Sequence, residues 1–204
     1  MTKKMKMMNK LAIRLYALFI LSCICLLGAS CSNDAPTPRR YAYPRVDTYP
    51  QQYSSIVISP DVNIEVNTAA RIVTDSVADA DTRWVTLSYP KYKANLYITV
   101  NKCNSKSQLQ DVIANRVQRI SLNTGGKDFE QVDLQSEADF KSKIFTIRGG
   151  STNPVMFISS NQRNCVVSGS LYFLDSNAVA KVDSIVPIID AVSNDIIHLA
   201  KHLR

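Results

Sequence analysis

Seven aliphatic residues near the C-terminus, Ile185, Ile188, Ile189, Val192, Ile196, Leu199 and Leu203, recur at steps of one, three and four. That spacing gathers them on one side of an α-helix. So long an apolar stripe must be covered, either by a sheet of the same domain or by another protein, and cover within the domain is the expectation. Ser184 is expected to cap this helix, with Pro187 in its first turn, where a missing N–H costs nothing.

The remaining chain offers the sheet. Val57–Val66 alternates loosely around the turn signal Pro60-Asp61, and Trp84–Tyr89 reads as a strand ended by Pro90. Ala94, Leu96, Ile98 and Val100 then alternate with Asn95, Tyr97 and Thr99, a strand with one buried face. Residues 67–83 give no clear pattern. A capping box at Ser107-Gln108-Leu109-Gln110 starts a helix with Leu109, Val112, Ile113, Val117 and Ile120 on one side, stopped at Gly125-Gly126. Four strands follow, at Phe129–Leu134, Lys143–Arg148, Val155–Ser160 and Cys165–Leu174. The last three are separated by turn-rich GGSTNP and NQRN, short enough to make those neighbours antiparallel. The expected order is ββ-ββ-α-ββββ-α: an α+β fold, a mostly antiparallel sheet packed with two helices, over residues 54–204.

The segment 1–30 belongs to no fold. Positions 1–10 are basic and polar, and 11–29 are apolar except for Arg14 and Ser22, the pattern of a signal peptide. The apolar run after Arg14 spans about 15 residues, roughly 22 Å as a helix, against a hydrocarbon core of ~30 Å, which disfavours an uncleaved anchor. It ends in Gly28-Ala29-Ser30-Cys31, small residues before a thiol, as a lipoprotein signal peptidase requires. Cys31 is the expected lipidation site. Cys23, after Ile20-Leu21-Ser22, is the alternative, although it would strand an apolar LLGA at the mature start. Two or three acyl chains of the palmitate kind, at about 0.8 kcal/mol per buried CH₂, hold a protein on a membrane. Ser32 stands where an inner-membrane retention signal would place Asp, so outer-membrane anchoring is expected, with either a periplasmic or a surface-facing domain.

Residues 31–53 carry Pro36, Pro38, Pro44 and Pro50, which block helix and favour an extended tether. Tyr41, Tyr43, Tyr49 and Tyr53 exceed what a tether needs. They are expected either to pack its later part onto the domain as an arm or to form a partner-docking strip. With Cys23 and Cys25 in the leader and Cys31 lipidated, Cys103 and Cys165 remain. They are two buried thiols or, in an oxidising compartment, a disulfide.

Charge excludes a partner class. Of the Lys and Arg side chains, Lys3, Lys4, Lys6, Lys10 and Arg14 lie in the leader, with no acid among them. That leaves 19 basic against 17 acidic side chains in the mature part, with no basic stripe for nucleic acid. No cofactor motif and no catalytic set emerges. His198 and His202 share a helix face but lack the glutamate of HExxH, and the C-terminal end of a helix suits histidines without any metal. Gly125-Gly126 and Gly149-Gly150 match no phosphate loop. Ser168-Gly169-Ser170 lies inside a strand rather than on a nucleophile elbow, so its glycine is expected at a bulge or a close backbone approach. Asp79 and Asp81 form no evident pair.

The blocks PRRYAYPRVDTYPQQY, Trp84 with Tyr89-Pro90 and KANLYITV, FTIRGGSTNPVMFISSN, SGSLYFL and DSIVPIIDAVSNDIIHLAKHLR together resemble the GldD family of gliding-motility lipoproteins of Bacteroidetes. The resemblance covers most of the mature chain. It implies a non-enzymatic role in the gliding machinery and the linked type IX secretion system, in hosts that include non-gliding ones, and partners among envelope proteins. The element order is also similar to the PsbP/Mog1 sandwich, which suggests a periplasmic ligand-binding domain as the alternative function.

Overall fold

The computed structural model describes residues 47–77, 79–148, 151–174 and 182–204, with Arg14 besides. The chain divides into two compact units, Met1–Ala42 and Tyr43–Arg204, and the fold that follows is that of the second. Apart from Arg14, residues 1–30, expected to be a leader, lie outside the described residues, as do Cys31, Tyr41 and Tyr43.

The elements are β1 (Tyr53–Ser59), β2 (Val62–Asn67), β3 (Arg71–Val77), β4 (Thr82–Tyr89), a 3₁₀ turn (Pro90–Tyr92), β5 (Ala94–Lys102), α1 (Lys106–Thr124), β6 (Phe129–Gln135), β7 (Lys141–Ile147), β8 (Val155–Ser160), β9 (Cys165–Phe173) and α2 (Val182–Lys201). Strands β1 and β2 form a hairpin. The others form one seven-stranded antiparallel sheet in the order β3-β4-β5-β9-β8-β7-β6. Helix α1 lies against β8 and β9, while α2 packs on β2 and on β6, β7 and β8. The architecture is the α+β sandwich expected from the sequence.

Alternation along the strands sorts the core into two layers. Val85, Leu87, Leu96, Ile98, Ile144, Phe157, Val167 and Leu171 pack with the α2 stripe, in which Ile185, Ile189, Val192, Ile196, Leu199 and Leu203 are buried. On the opposite face Phe145, Ile147, Met156, Ile158 and Val166 pack with Leu109 and Ile120 of α1.

Three local expectations are corrected. The unassigned stretch 67–83 contains β3. It is an edge strand with a bulge between Ile72 and Thr74, and Ile72, Val73 and Val77 stay exposed, so it shows no buried alternation. The α1 cap is Ser105 rather than Ser107. Its Oγ accepts from Gln108 N at 3.1 Å, and Gln108 Oε1 accepts from Asn104 N at 2.8 Å. Helix α2 begins at Val182, ahead of Ser184, which puts Pro187 past the first turn. The stop at Gly125 is as expected: φ is +56°, a left-handed conformation suited to glycine, and its N–H donates to Ser121 O.

Gly169 is explained by close approach without a bulge, since β9 pairs with β5 in unbroken register. A Cβ at Gly169 would meet the Phe157 ring at 2.5 Å and Tyr97 O at 2.9 Å. Phe157 stands directly across on β8, so its ring occupies the space the glycine leaves.

Candidate functional site

Two features of the domain bear on function: the seat of the N-terminal arm, and the part of the sheet that no helix covers.

The arm sits on a polar knot around Asp195. This α2 carboxylate is 7% exposed. It accepts from Tyr53 Oη at 3.0 Å and Asn67 Nδ2 at 3.2 Å, and it also bonds the buried Tyr89 hydroxyl. Asn67 Nδ2 donates to Pro50 O as well, tying the arm backbone to the hairpin. Burial raises the Asp195 carboxyl above the ordinary aspartate value, and the three donors oppose that rise. Burial and the neighbouring carboxylate push the Tyr53 hydroxyl up to about 12. Next along the arm, Tyr49 packs against Tyr92 with centroids 4.7 Å apart. Its N–H donates to Tyr92 Oη at 2.6 Å, its own Oη accepts from Lys91 N at 2.8 Å, and the Lys91 ammonium lies 5.6 Å from its ring. Tyr49 and Tyr53 therefore act as an arm packed on their own domain.

Cys103 and Cys165 are both buried and unbridged. Cys165 is opposite Lys102, one residue before Cys103. Alternation therefore sends the two side chains to opposite faces of the sheet, Cys165 into the α2 layer and Cys103 into the α1 layer. The structure leaves the two thiols unbridged, on opposite sides of the sheet. Burial pushes the Cys165 thiol up to about 12 and also raises that of Cys103.

The open part of the sheet is where β4 and β5 extend beyond α1. Trp84, Tyr97 and Tyr172 project there from three strands and are 52%, 44% and 38% exposed. The register sets them side by side: Trp84 faces Thr99, Tyr97 lies between Thr86 and Ser170, and Tyr172 faces Asn95. The rings of Tyr97 and Tyr172 meet edge-on with centroids 5.5 Å apart. Asn95 Nδ2 reaches Tyr97 Oη at 3.4 Å, while Asn95 Oδ1 is buried with no donor. Between this strip and α1 runs a groove of about 340 Å³, with Arg116, Arg119 and Leu122 on its helical side. Arg116 Nη2 donates to Asn101 Oδ1 at 3.2 Å. Neither arginine forms an ion pair among the described residues. Burial, and then the adjacent Arg119, lowers the Arg116 guanidinium. A second groove, about 770 Å³, opens on the other side of α1 between Ile113, Val117, Phe145, Ile158, Lys143 and Asp133.

Sequence reasoning places Trp84, Tyr97 and Tyr172 on strands but does not group them. Their proximity depends on β5 pairing with β9, which local pattern does not reveal.

The model of the gliding motility lipoprotein GldD family matches residues 33–204, most of the chain. The chain belongs to this family. No curated protein matches the sequence. Membership carries a role in gliding motility and the envelope location of a membrane-anchored lipoprotein. Among the described residues no helix is long and apolar enough to cross a membrane.

Proposed function

We propose that this GldD-family lipoprotein is a non-enzymatic docking module. It is held on the outer membrane by acyl chains on Cys31, and it supports the gliding apparatus and the type IX secretion machinery by binding another envelope protein. The observation that carries this reading is the aromatic strip Trp84, Tyr97 and Tyr172 beside two arginines that have no acidic partner among the described residues. Trp, Tyr and Arg are the residue types that dominate binding energy when an interface excludes water. Other apolar side chains are exposed on this domain, Val57, Ile72 and Leu122 among them, but among the described residues this cluster is the one that sets three large aromatic rings beside cationic side chains, a combination that suits a partner. The charge asks for acidic side chains on that partner, facing Arg116 and Arg119.

The test is a chromosomal replacement series in the native host, with crosslinking from intact cells. A combined Trp84→Ala, Tyr97→Ala, Tyr172→Ala variant is expected to accumulate normally, to lose its crosslinked partner, and to impair spreading or secretion. Cys31→Ala is expected to release the protein from the membrane fraction. Normal motility and secretion with the aromatic variant would refute the assignment of this surface.

A second reading rests on the larger groove beside α1. Its volume is within the roughly 300–1,000 Å³ of small-ligand sites, and it combines an apolar floor with Lys143 and Asp133 at the rim. It would make the domain a periplasmic ligand binder of the PsbP/Mog1 kind, a fold-level analogy that by itself fixes no function. Co-purification of a small molecule, displaced by Phe145→Trp, would favour it.

A further inference from the structure

The two histidines of the chain gain a third ligand that their spacing does not announce. Glu65 of β2 lies beneath the end of α2, and the candidate ligand atoms of Glu65, His198 and His202 all lie within 4.8 Å of one another. His198 Nε2 is 2.8 Å from Glu65 Oε2. His202 Nδ1 is 2.9 Å from the His198 carbonyl oxygen. A carbonyl oxygen only accepts, so Nδ1 carries the proton, and Nε2 of a neutral His202 is left with a free lone pair. Metal-binding histidines are oriented in this way, by a hydrogen bond from the ring nitrogen that does not touch the metal.

Much of the arrangement is held before any ligand arrives. Tyr53 stacks on His198 with ring centroids 3.5 Å apart and the rings 9° from parallel, which fixes His198. His202 also stacks on His198, at 4.1 Å and 26°, and because an imidazole lone pair lies in the ring plane, His202 must tilt out of that stack to share an ion with His198. Arg204 N donates to Asn63 O and Asn63 N to Arg204 O, at 3.1 and 2.7 Å, which pins the tail after α2 to the strand that bears Glu65. The side chains of His198 and Glu65 are 25% and 30% exposed, sheltered but reachable. Among the charged groups nearby, Arg204 opposes a cation, though its guanidinium turns toward Glu137 at 3.7 Å. Asp195 and the carbonyl end of α2 favour one.

We propose that Glu65, His198 and His202 bind a divalent transition-metal ion, zinc in the first instance, which clips the end of α2 to β2 and keeps its fourth position for water. Two imidazoles and one carboxylate are a zinc ligand set, and zinc binds nitrogen and oxygen donors at about 2.0–2.2 Å. At those bond lengths the gap between His198 Nε2 and Glu65 Oε2, 2.8 Å as it stands, needs only a small adjustment. The ion takes the place of the proton shared by those two atoms. That proton passes to His198 Nδ1 or, from an imidazolium, to solvent.

The experiment uses the full-length, untagged chain in detergent, stripped with chelator and titrated with zinc chloride by calorimetry, with cobalt chloride as a spectroscopic substitute and magnesium chloride as the control. The expected result is one equivalent of zinc, a raised melting temperature with zinc but not magnesium, and visible cobalt bands typical of nitrogen and oxygen ligation in a low-coordinate site. His202→Gln and Glu65→Gln should each weaken zinc binding at least roughly tenfold, the loss that even a change beyond the direct ligands produces. His202→Gln leaves the contacts among Tyr53, His198 and Glu65 in place, so it reports on the site if Glu65→Gln misfolds. Failure of the wild-type chain to take up zinc, or equal affinity in wild type and folded His202→Gln, would overturn the proposal.

Discussion

Replacing Gly169 with alanine adds one methyl group at a place with no room for it. The new Cβ would lie 2.5 Å from the Phe157 ring and 2.9 Å from Tyr97 O. The first obstacle is a side chain fixed between β7 and β9 in the core layer under α2. The second is backbone of the central β5–β9 pair, which cannot withdraw without disturbing the register. Overpacking of a rigid core costs about 1–3 kcal/mol. Against this, alanine stiffens the unfolded chain, an effect of about 0.4–1 kcal/mol in the opposite direction. The net loss expected is about 1–2 kcal/mol, or roughly 2–8 °C in melting temperature for a domain of this size. Urea unfolding followed by circular dichroism measures it. A cycle with Phe157→Leu isolates the cause: the double variant should be less destabilised than the two singles added, by about 0.5 kcal/mol or more. Recovery should be incomplete, because the Tyr97 carbonyl stays. A Gly169→Ala domain as stable as wild type, or strictly additive singles, would contradict the packing account.

Other consequences are open to equally direct measurement. Asp195→Ala should cost about 2–3 kcal/mol in urea unfolding, since Tyr53, Tyr89 and Asn67 lose their buried acceptor. Because the folded carboxyl is raised above its unfolded value, the native state holds this proton more tightly. Wild type should therefore gain stability relative to Asp195→Asn as pH falls through the raised value toward about 3.8, and a flat difference across that window would speak against the burial. Cys103 and Cys165 should resist a thiol reagent in the folded domain and yield two free thiols once unfolded; a bridged peptide pair in a non-reduced digest would show otherwise. The single tryptophan is Trp84, so acrylamide should quench the free domain readily and the partner-bound domain less.

The sequence is most informative where burial is one-sided. The α2 stripe and the 94–100 alternation have a single solvent face each, so local pattern alone places them. β3 lacks that signal because both of its sides meet solvent. The α1 cap lies two residues before the expected one because the stretch Asn104–Gln110 offers two serines, each followed three residues later by glutamine. Geometry chooses the pair whose reciprocal bond reaches Asn104 N. The sites are less legible. The Tyr53–Asp195 knot joins residues 142 positions apart and the Glu65–His198 contact residues 133 apart, and no periodicity encodes such separations. The strip of Trp84, Tyr97 and Tyr172 likewise appears only when β9 lies down beside β5.

That late partner has a cost in time. β5 emerges early in the chain, yet its neighbour on one side is the last strand to be made, with α1 and the β6–β8 meander in between. Until β9 arrives, the middle of the sheet is a raw edge ready to pair with anything extended, and closing so long a loop is slow. A newly made copy thus spends its first moments as an unfinished half-sheet, with the edge of β5 open until the end of the chain folds back on it.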